Sequence, residues 1–270
     1  KRRVRDVAAA AVNEIFRKNA DVAEAEMNSI MADKKINDEL RGFSRPDSSM
    51  HLSDDIPSEI ADVLIDAGSR RFDISKRYYH LKAKLFGVKK LKYHEKNVEY
   101  GHINKKYSYQ EAIDIVFNIF SKTDKEFAEI FKKFIENGQI DVYPKKGKSG
   151  GGFCMNNLIS QPTYILMNFT GRLSDIFTLA HESGHGINSA FKKKRRNSLN
   201  FNQPLFMAEV ASKFAEELVF AEMLKIKNEK LKLAMIMAKL SDEVSYVFRT
   251  AVNNKFESEM HQSFRQKGYL

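Results

Sequence analysis

Apolar residues recur every three to four positions along the first 137 residues of this 270-residue chain, which is the spacing of amphipathic helices. The first such stretch predicts a long helix over residues 1–36. Further helices are predicted at residues 57–68, 75–86, 108–120 and 123–137. The last two begin at capping boxes, Ser108–Glu111 and Thr123–Glu126, which satisfy the first free N–H groups of a helix. Residues 1–137 are therefore predicted to form a helical subregion.

The pattern changes between residues 138 and 170. Short β-type runs at Gln139–Tyr143, Phe153–Asn156 and Thr163–Phe169 are separated by a glycine-rich stretch and by Pro162. They predict a small antiparallel sheet, whose edge strand is suited to pair its backbone with an extended peptide. Residues 171–270 return to helical periodicity. The predicted fold class is mainly α, with the sheet just before the helices that carry the candidate chemistry.

The candidate chemistry lies in His181-Glu182-Ser183-Gly184-His185. In a helix, two histidines four residues apart share one face, so both imidazoles can bind one Zn²⁺. The glutamate beside the first histidine is then placed to act as a general base. The sequence therefore predicts metal-assisted hydrolysis, and a buried helix whose histidines have structural partners is the alternative.

A catalytic zinc needs a third protein ligand, and the chain offers one on the next helix. In metzincins a Gly and the third His ligand follow the second histidine by three and six residues, but here these positions hold Asn188 and Phe191. Glu209 lies in a helical stretch that is apolar on nearly every side, where a carboxylate needs a counter-charge. We predict Glu209 as the third ligand. Glu216, two turns further along the same face, is a candidate to orient a ligand histidine, or alternatively to pair with a lysine.

These motifs together resemble the oligoendopeptidase F family of thimet-oligopeptidase-like zinc peptidases. The resemblance rests on the His-Glu-x-Gly-His motif, the Ala-Glu-Val-Ala-Ser context of Glu209, and the stretches 140–154, 161–171, 41–43 and 77–84. It implies a zincin-like core with one Zn²⁺ per chain, bound by His181, His185 and Glu209. It also implies that Glu182 is the general base and that short peptides are the substrates.

The chain departs from the family pattern in two respects. Asn188 stands where the family usually has another histidine. Family members also start earlier and continue beyond Leu270, into a segment whose Tyr and His residues bind substrate and stabilise the oxyanion. Because this chain opens at Lys1 without an initiator Met, it is interpreted as an internal catalytic-core fragment or a processed product. It is predicted to form a single domain over residues 1–270 without the flanking family regions. Tyr143 and Tyr164 are the candidates for an oxyanion donor within the fragment.

Composition narrows the partners and the location. The formal net charge is +10, but the basic residues are spread over many helices without a nucleic-acid motif, so nucleic acid is excluded as a partner. The densest cluster, Lys192–Arg196, is interpreted as a solvated helix end, and the overall charge favours acidic peptides. No apolar run reaches the length of a membrane span. The single cysteine, Cys154, suits a cytoplasmic protein and is interpreted as a small apolar residue.

The predicted function is zinc-dependent hydrolysis of short oligopeptides by Glu182-assisted attack of a zinc-bound water. One alternative is a metal-binding but inactive fragment that needs the missing C-terminal segment or a partner chain. Another is a purely helical scaffold without metal. The sequence indicates no particular oligomeric state.

Overall fold

The computed structural model describes residues 2–101 and 105–270. Its backbone falls into two compact units, Lys1–Gly101 with Leu233–Leu270, and His102–Lys232. Helices dominate both units, which confirms the predicted mainly α class. The prediction of one domain, divided after residues 137 and 170, stays a prediction.

The elements, in chain order, are α1 (Arg2–Lys18), α2 (Ala20–Leu40), α3 (Ser48–Ser53), α4 (Ser58–Ser69), α5 (Phe72–Leu85), α6 (Tyr109–Thr123), α7 (Lys125–Glu136), β1 (Ile140–Asp141), β2 (Phe153–Met155), β3 (Tyr164–Leu166), α8 (Leu173–Arg195), α9 (Leu205–Met223), α10 (Glu229–Val244) and α11 (Thr250–Lys267). Short 3₁₀ turns lie at Tyr93–Glu95 and Ser198–Asn200, and a π-helical turn at Ser245–Arg249 connects α10 to α11. Among the described residues, none of the helices combines the length and apolarity needed to cross a bilayer.

At two of the helix boundaries that differ from the predicted ones, a side chain competes with the backbone. The predicted helix 1–36 is interrupted at Asn19, whose φ and ψ of −108° and 13° are not helical and whose side-chain amide donates to the Ile15 carbonyl at 2.7 Å. The N-cap of α7 is Asp124 rather than Thr123, since Asp124 Oδ1 accepts the Glu126 N–H at 2.7 Å. The predicted capping box at Ser108 is confirmed.

The sheet is mixed, and the prediction of an antiparallel sheet is wrong for one strand pair. The strand order is β1-β3-β2, with β2 antiparallel and β1 parallel to β3. Successive strands along the chain alternate in direction, so β1 and β3 run the same way. Because β3 lies between β1 and β2, it pairs with β1 in parallel. The cause is burial, because Ile165 on β3 and the following Met167 and Phe169 occupy the core. β1 and β2 are therefore the two edge strands of the sheet.

The core of the unit 102–232 lies between α6, α7, α8, α9 and β3. Its fully buried apolar side chains include Val116, Phe120, Phe131, Ile176 and Val219. Phe120 and Phe131 meet edge to face with ring centroids 5.6 Å apart, a geometry favoured by the aromatic quadrupole. This core fixes α8 and α9, the two helices that carry the predicted site residues.

The unit formed by residues 1–101 and 233–270 contains a buried carboxylate, Glu95. It accepts the Lys92 N–H at 3.0 Å and pairs with Arg2 Nε at 2.9 Å and with Arg5 at 3.5 Å. The Lys92 hydrogen bond is the largest cause that lowers the pKa of Glu95 below its ordinary value, and the two arginines lower it further. The ionised carboxylate therefore stabilises the attachment of α1.

The Glu95 network predicts a specific pH dependence of stability. A carboxyl group with a lowered pKa stabilises the fold above its unfolded-state pKa of about 4.3, and this stabilisation is lost as the pH falls through its folded-state pKa. We expect Glu95→Gln to be less stable than wild type at pH 7, with the difference shrinking below about pH 4. Urea unfolding across a pH series measures this, with Glu14→Gln on exposed α1 surface as the control. A difference independent of pH would contradict the assignment.

Candidate metal centre

The His-Glu-x-x-His motif lies in the middle of α8, a 23-residue helix. Its first turn is held by Asp175, whose Oδ2 accepts the Arg172 N–H at 3.0 Å and the Thr170 N–H at 2.6 Å. One side of α8 is buried in the core, while His181 and His185 each keep about a fifth of the side chain exposed, 20% and 18%. The motif is thus rigidly placed but open to ligands.

Gly184 allows α9 to approach α8 at backbone distance. A Cβ atom at this position would lie 2.7 Å from the Ala211 carbonyl oxygen and 2.8 Å from Ser212 Cα, closer than any side chain tolerates. The absence of a side chain therefore lets the two helices touch. Glu209 on α9 comes to lie opposite the two histidines.

The three predicted ligands converge. His181 Nε2 lies 3.2 Å from Glu209 Oε2, and His185 Nε2 lies 3.7 Å from Glu209 Oε1. One donor atom from each residue can be chosen so that all three lie within 4.8 Å of one another. The imidazole rings are nearly perpendicular, with centroids 5.0 Å apart.

This donor set fits a tetrahedral zinc ion. Zinc–ligand bonds of roughly 2.0–2.2 Å at tetrahedral angles separate neighbouring donor atoms by about 3.4 Å. The distances of 3.2 and 3.7 Å between imidazole nitrogens and carboxylate oxygens bracket that value. Two imidazoles and one carboxylate are also a ligand combination that catalytic zinc sites use, with a fourth position left open.

A second layer of contacts orients the candidate ligands. His181 Nδ1 lies 3.2 Å from Glu216 Oε2, which also accepts from Lys213 Nζ at 3.0 Å, so Glu216 makes both contacts that the sequence left as alternatives. Ser212 Oγ lies 2.9 Å from Glu209 Oε2 and from the Glu209 backbone oxygen, and donates to them. The role of Ser212 was not predicted. Its place three residues after Glu209 on the same helical face is the signal that indicates it.

Glu182 is buried, with 6% of its surface exposed. Gly152, the residue before β2, packs directly on it, since a Cβ there would lie 3.0 Å from Glu182 Oε1. Burial raises the pKa of Glu182, the negative charge of Glu209 raises it further, and His181 opposes the shift. A carboxylate with increased proton affinity beside a candidate metal site is suited to proton transfer.

A cleft of about 460 Å³ opens over these residues. Its lining includes His181, Glu182, His185, Asn188, Lys192, Gln203 and Glu209, together with Gly152–Cys154 from the sheet. Burial raises the pKa of the Cys154 thiol to about 12, so the thiol stays protonated at neutral pH and does not act as a nucleophile. Neither Tyr143 nor Tyr164 lines this cleft among the residues described.

The close contact at Gly184 predicts a sensitive position. Gly184→Ala gains about 1 kcal/mol of helix propensity, but its methyl group overlaps the α9 backbone. We expect a net loss of about 1–3 kcal/mol in the free energy of unfolding, together with weaker zinc binding, because Glu209 moves with α9. Urea unfolding and zinc titration measure the two effects.

Gly150→Ala is the matched control for that substitution. A Cβ at Gly150 would have nothing within 4 Å, so this variant is expected to match wild type in both assays. Equal zinc affinity of Gly184→Ala and Gly150→Ala would show that the α8–α9 contact does not hold Glu209 in place.

Comparison with known proteins extends these observations. A family model described as peptidase family M3 matches residues 1–270. The relative named "Oligoendopeptidase F, plasmid", from Lactococcus lactis subsp. cremoris, is 26% identical over 229 residues, covering 84% of this chain and 38% of the relative. Oligopeptidase PepF of Bacillus subtilis (strain 168) is 30% identical over 208 residues, covering 76% of this chain and 31% of the relative.

A solved structure agrees in fold. The crystal structure of a Chlamydophila abortus protein assigned as a peptidase superposes with a TM-score of 0.84 at 23% identity, covering 97% of this chain and 44% of that one. This chain thus spans less than half the length of these relatives. The resemblance to oligoendopeptidase F seen in the sequence is confirmed. Because the family model matches from the first residue to the last, the chain belongs to peptidase family M3.

Proposed function

We propose that this chain is the catalytic core of a zinc-dependent metalloendopeptidase that hydrolyses short oligopeptides. The observation that carries the proposal is the convergence of His181, His185 and Glu209 beside the buried carboxylate of Glu182. Membership of peptidase family M3 supports the reaction class. The predicted cytoplasmic location belongs to the same proposal.

The metal-binding role is assigned to His181, His185 and Glu209. Glu216 holds His181 through its Nδ1 atom, which leaves Nε2 directed at the site, and Ser212 fixes one oxygen of Glu209. When bound, Zn²⁺ would act as a Lewis acid that polarises the scissile carbonyl and acidifies the attacking water.

Glu182 is assigned the proton transfers. Its carboxylate takes the proton of the attacking water and then donates it to the amine of the leaving fragment, so one group acts as base and as acid. The packing of Gly152 on the carboxylate limits its motion and keeps it at the edge of the cleft.

Strand β2 is proposed to bind the peptide backbone. It lies at an edge of the sheet, and its first residues, Phe153 and Cys154, line the cleft. An extended peptide added alongside β2 would form main-chain hydrogen bonds that depend little on side chains. Such binding suits a peptidase that accepts varied oligopeptides.

A metal-binding but inactive core is the second candidate. The observation in its favour is that the described residues place no tyrosine in the cleft to stabilise an oxyanion, while the relatives are more than twice as long as the matched region. In that case the core would need a further segment or a partner chain for turnover.

Metal analysis and peptide hydrolysis test the proposal together. We expect about one zinc per chain, hydrolysis of a quenched fluorescent oligopeptide, loss of hydrolysis with a chelator, and recovery on adding Zn²⁺. Zinc binding without hydrolysis, restored by extending the chain with the flanks of a longer relative, would select the inactive core. Absence of zinc binding would reject both and support a helical scaffold.

A further inference from the structure

Lys192 lies on the same face of α8 as the predicted ligands. It follows His185 by seven residues, which returns it to within about 20° of the same direction and about 10.5 Å further along the axis. Its side chain lines the cleft together with Asn188 and Gln203, whose amides are joined by a 3.2 Å hydrogen bond. Lys194, Arg195 and Arg196 of the basic cluster are exposed at the end of α8, whereas Lys192 is part-buried.

The ammonium group of Lys192 has no counter-charge. Its Nζ lies 4.9 Å from the ring centroid of the buried Phe201, and in residues 2–101 and 105–270 no carboxylate comes within ion-pair distance of it. Its neighbours differ, because Lys194 pairs with Glu126 and Lys193 donates to the Gln161 carbonyl. A part-buried cation whose described neighbour is an aromatic ring can bind an anion without first breaking an ion pair.

The part-buried surroundings of the Lys192 amine also favour binding of an anion. Lys192 is part-buried, and this burial lowers the pKa of its amine. The nearby Cys154 thiol is uncharged at neutral pH and supplies no compensation. In such surroundings an ion pair with a ligand is screened less than one on open surface.

We propose that Lys192, with the amides of Asn188 and Gln203, forms a subsite that binds a carboxylate of the peptide two or three residues from the scissile bond. The inference rests on the proposed function, because it takes the scissile bond to lie at His181, His185 and Glu209. The inference also takes the peptide to lie along α8. An extended peptide advances about 3.3–3.6 Å per residue, so in that direction about 10.5 Å corresponds to about three residues. The carboxylate belongs either to an Asp or Glu side chain or to the C-terminus of a short peptide.

Matched peptides separate these two sources. One set, with amidated C-termini, carries Glu or Gln at the second or third position on either side of the cleaved bond. The other set carries Gln at these positions, and its peptides end at the second or third residue after the cleaved bond with a free C-terminal carboxylate. We expect a carboxylate-bearing peptide to have a kcat/KM about tenfold above its neutral match, equivalent to about 1.4 kcal/mol. The peptide that shows the preference identifies the source.

Variants of Lys192 test the assignment. Lys192→Met keeps the length of the side chain and is expected to abolish the preference, so that its kcat/KM is the same for the carboxylate-bearing peptide and the neutral match. Lys192→Arg should retain the preference. Lys194→Met, which removes a neighbouring charge from the same helix, should behave as wild type. A preference of equal size in Lys192→Met and wild type would overturn the inference.

Binding to the Glu182→Gln variant gives a readout without turnover. We expect fluorescence anisotropy to show about tenfold tighter binding of the carboxylate-bearing peptide, lost when Lys192→Met is added. If that difference is found but no peptide is cleaved by the wild type, the subsite stands and the proposed hydrolysis fails. If the wild type cleaves peptides but charged and neutral peptides bind equally well, the proposed hydrolysis stands and the subsite fails. The subsite also fails if no peptide binds at millimolar concentration.

Discussion

Glu182→Gln is expected to lower kcat/KM for oligopeptide hydrolysis by about 10²–10⁴-fold, because an amide can neither accept the proton of the attacking water nor deliver it to the leaving amine. Zinc content should remain at the wild-type value, since the proposed ligands are His181, His185 and Glu209. Gln has nearly the shape of Glu, so the tight contact with Gly152 is preserved. Peptide hydrolysis and metal analysis on the same preparations measure both quantities.

A matched substitution elsewhere controls for general effects of removing a carboxylate. Glu222→Gln, at the end of α9, removes a charge that pairs with Lys122 and Lys225, away from the cleft. It should leave both zinc content and hydrolysis unchanged. Wild-type activity in Glu182→Gln would end the assignment of Glu182 as the general base, and a parallel loss of zinc would assign it a structural role.

The sequence predicts the helices well because their signal is local. Amphipathic periodicity and capping boxes depend on residues within one or two turns, as at Ser108 and Glu111. The interruption at Asn19 has a local cause too, but the Asn side chain bonds to the backbone in helices and in turns alike. The sequence pattern alone does not distinguish these two outcomes.

The order of the strands is not a local property. The β-type runs were predicted where β1, β2 and β3 lie, but their alternation gives no information about which strand is central. The position of β3 depends on the burial of Ile165 and Met167 against the helices of its unit. Such packing is decided by contacts distant in sequence, which is why the antiparallel prediction failed for β1.

The same distinction applies to the site. The spacing of His181 and His185 places both on one helical face, and the apolar surroundings of Glu209 single it out on the next helix. The contact of Gly152 with Glu182, by contrast, depends on how β2 packs against α8. The partial burial of Lys192 in the cleft and its contact with the Phe201 ring likewise depend on tertiary packing, and in the sequence Lys192 is one of several basic residues in a row.

Glu209→Ala is expected to weaken zinc binding by more than about 100-fold, beyond the 10–100-fold effect typical of residues that only orient a ligand. Glu209 supplies the only proposed ligand from α9 and the only negative charge among the three. Its removal leaves two imidazoles from one helix, which cannot complete a catalytic zinc site. Zinc titration against a competing chelator measures the affinity, and urea unfolding of the metal-free protein shows whether the fold is retained.

A variant of Glu216 allows the loss of a proposed ligand to be compared with the loss of a residue that only orients a ligand. Its carboxylate contacts His181 through Nδ1 and is not one of the three proposed ligands, so Glu216→Gln should weaken zinc binding by about 10–100-fold. Glu222→Ala should have no effect. The expected order of loss is therefore Glu209, then Glu216, then Glu222. If Glu216→Gln cost more zinc affinity than Glu209→Ala, the two glutamates would have to exchange roles, since only a direct ligand removes a metal bond when it is replaced.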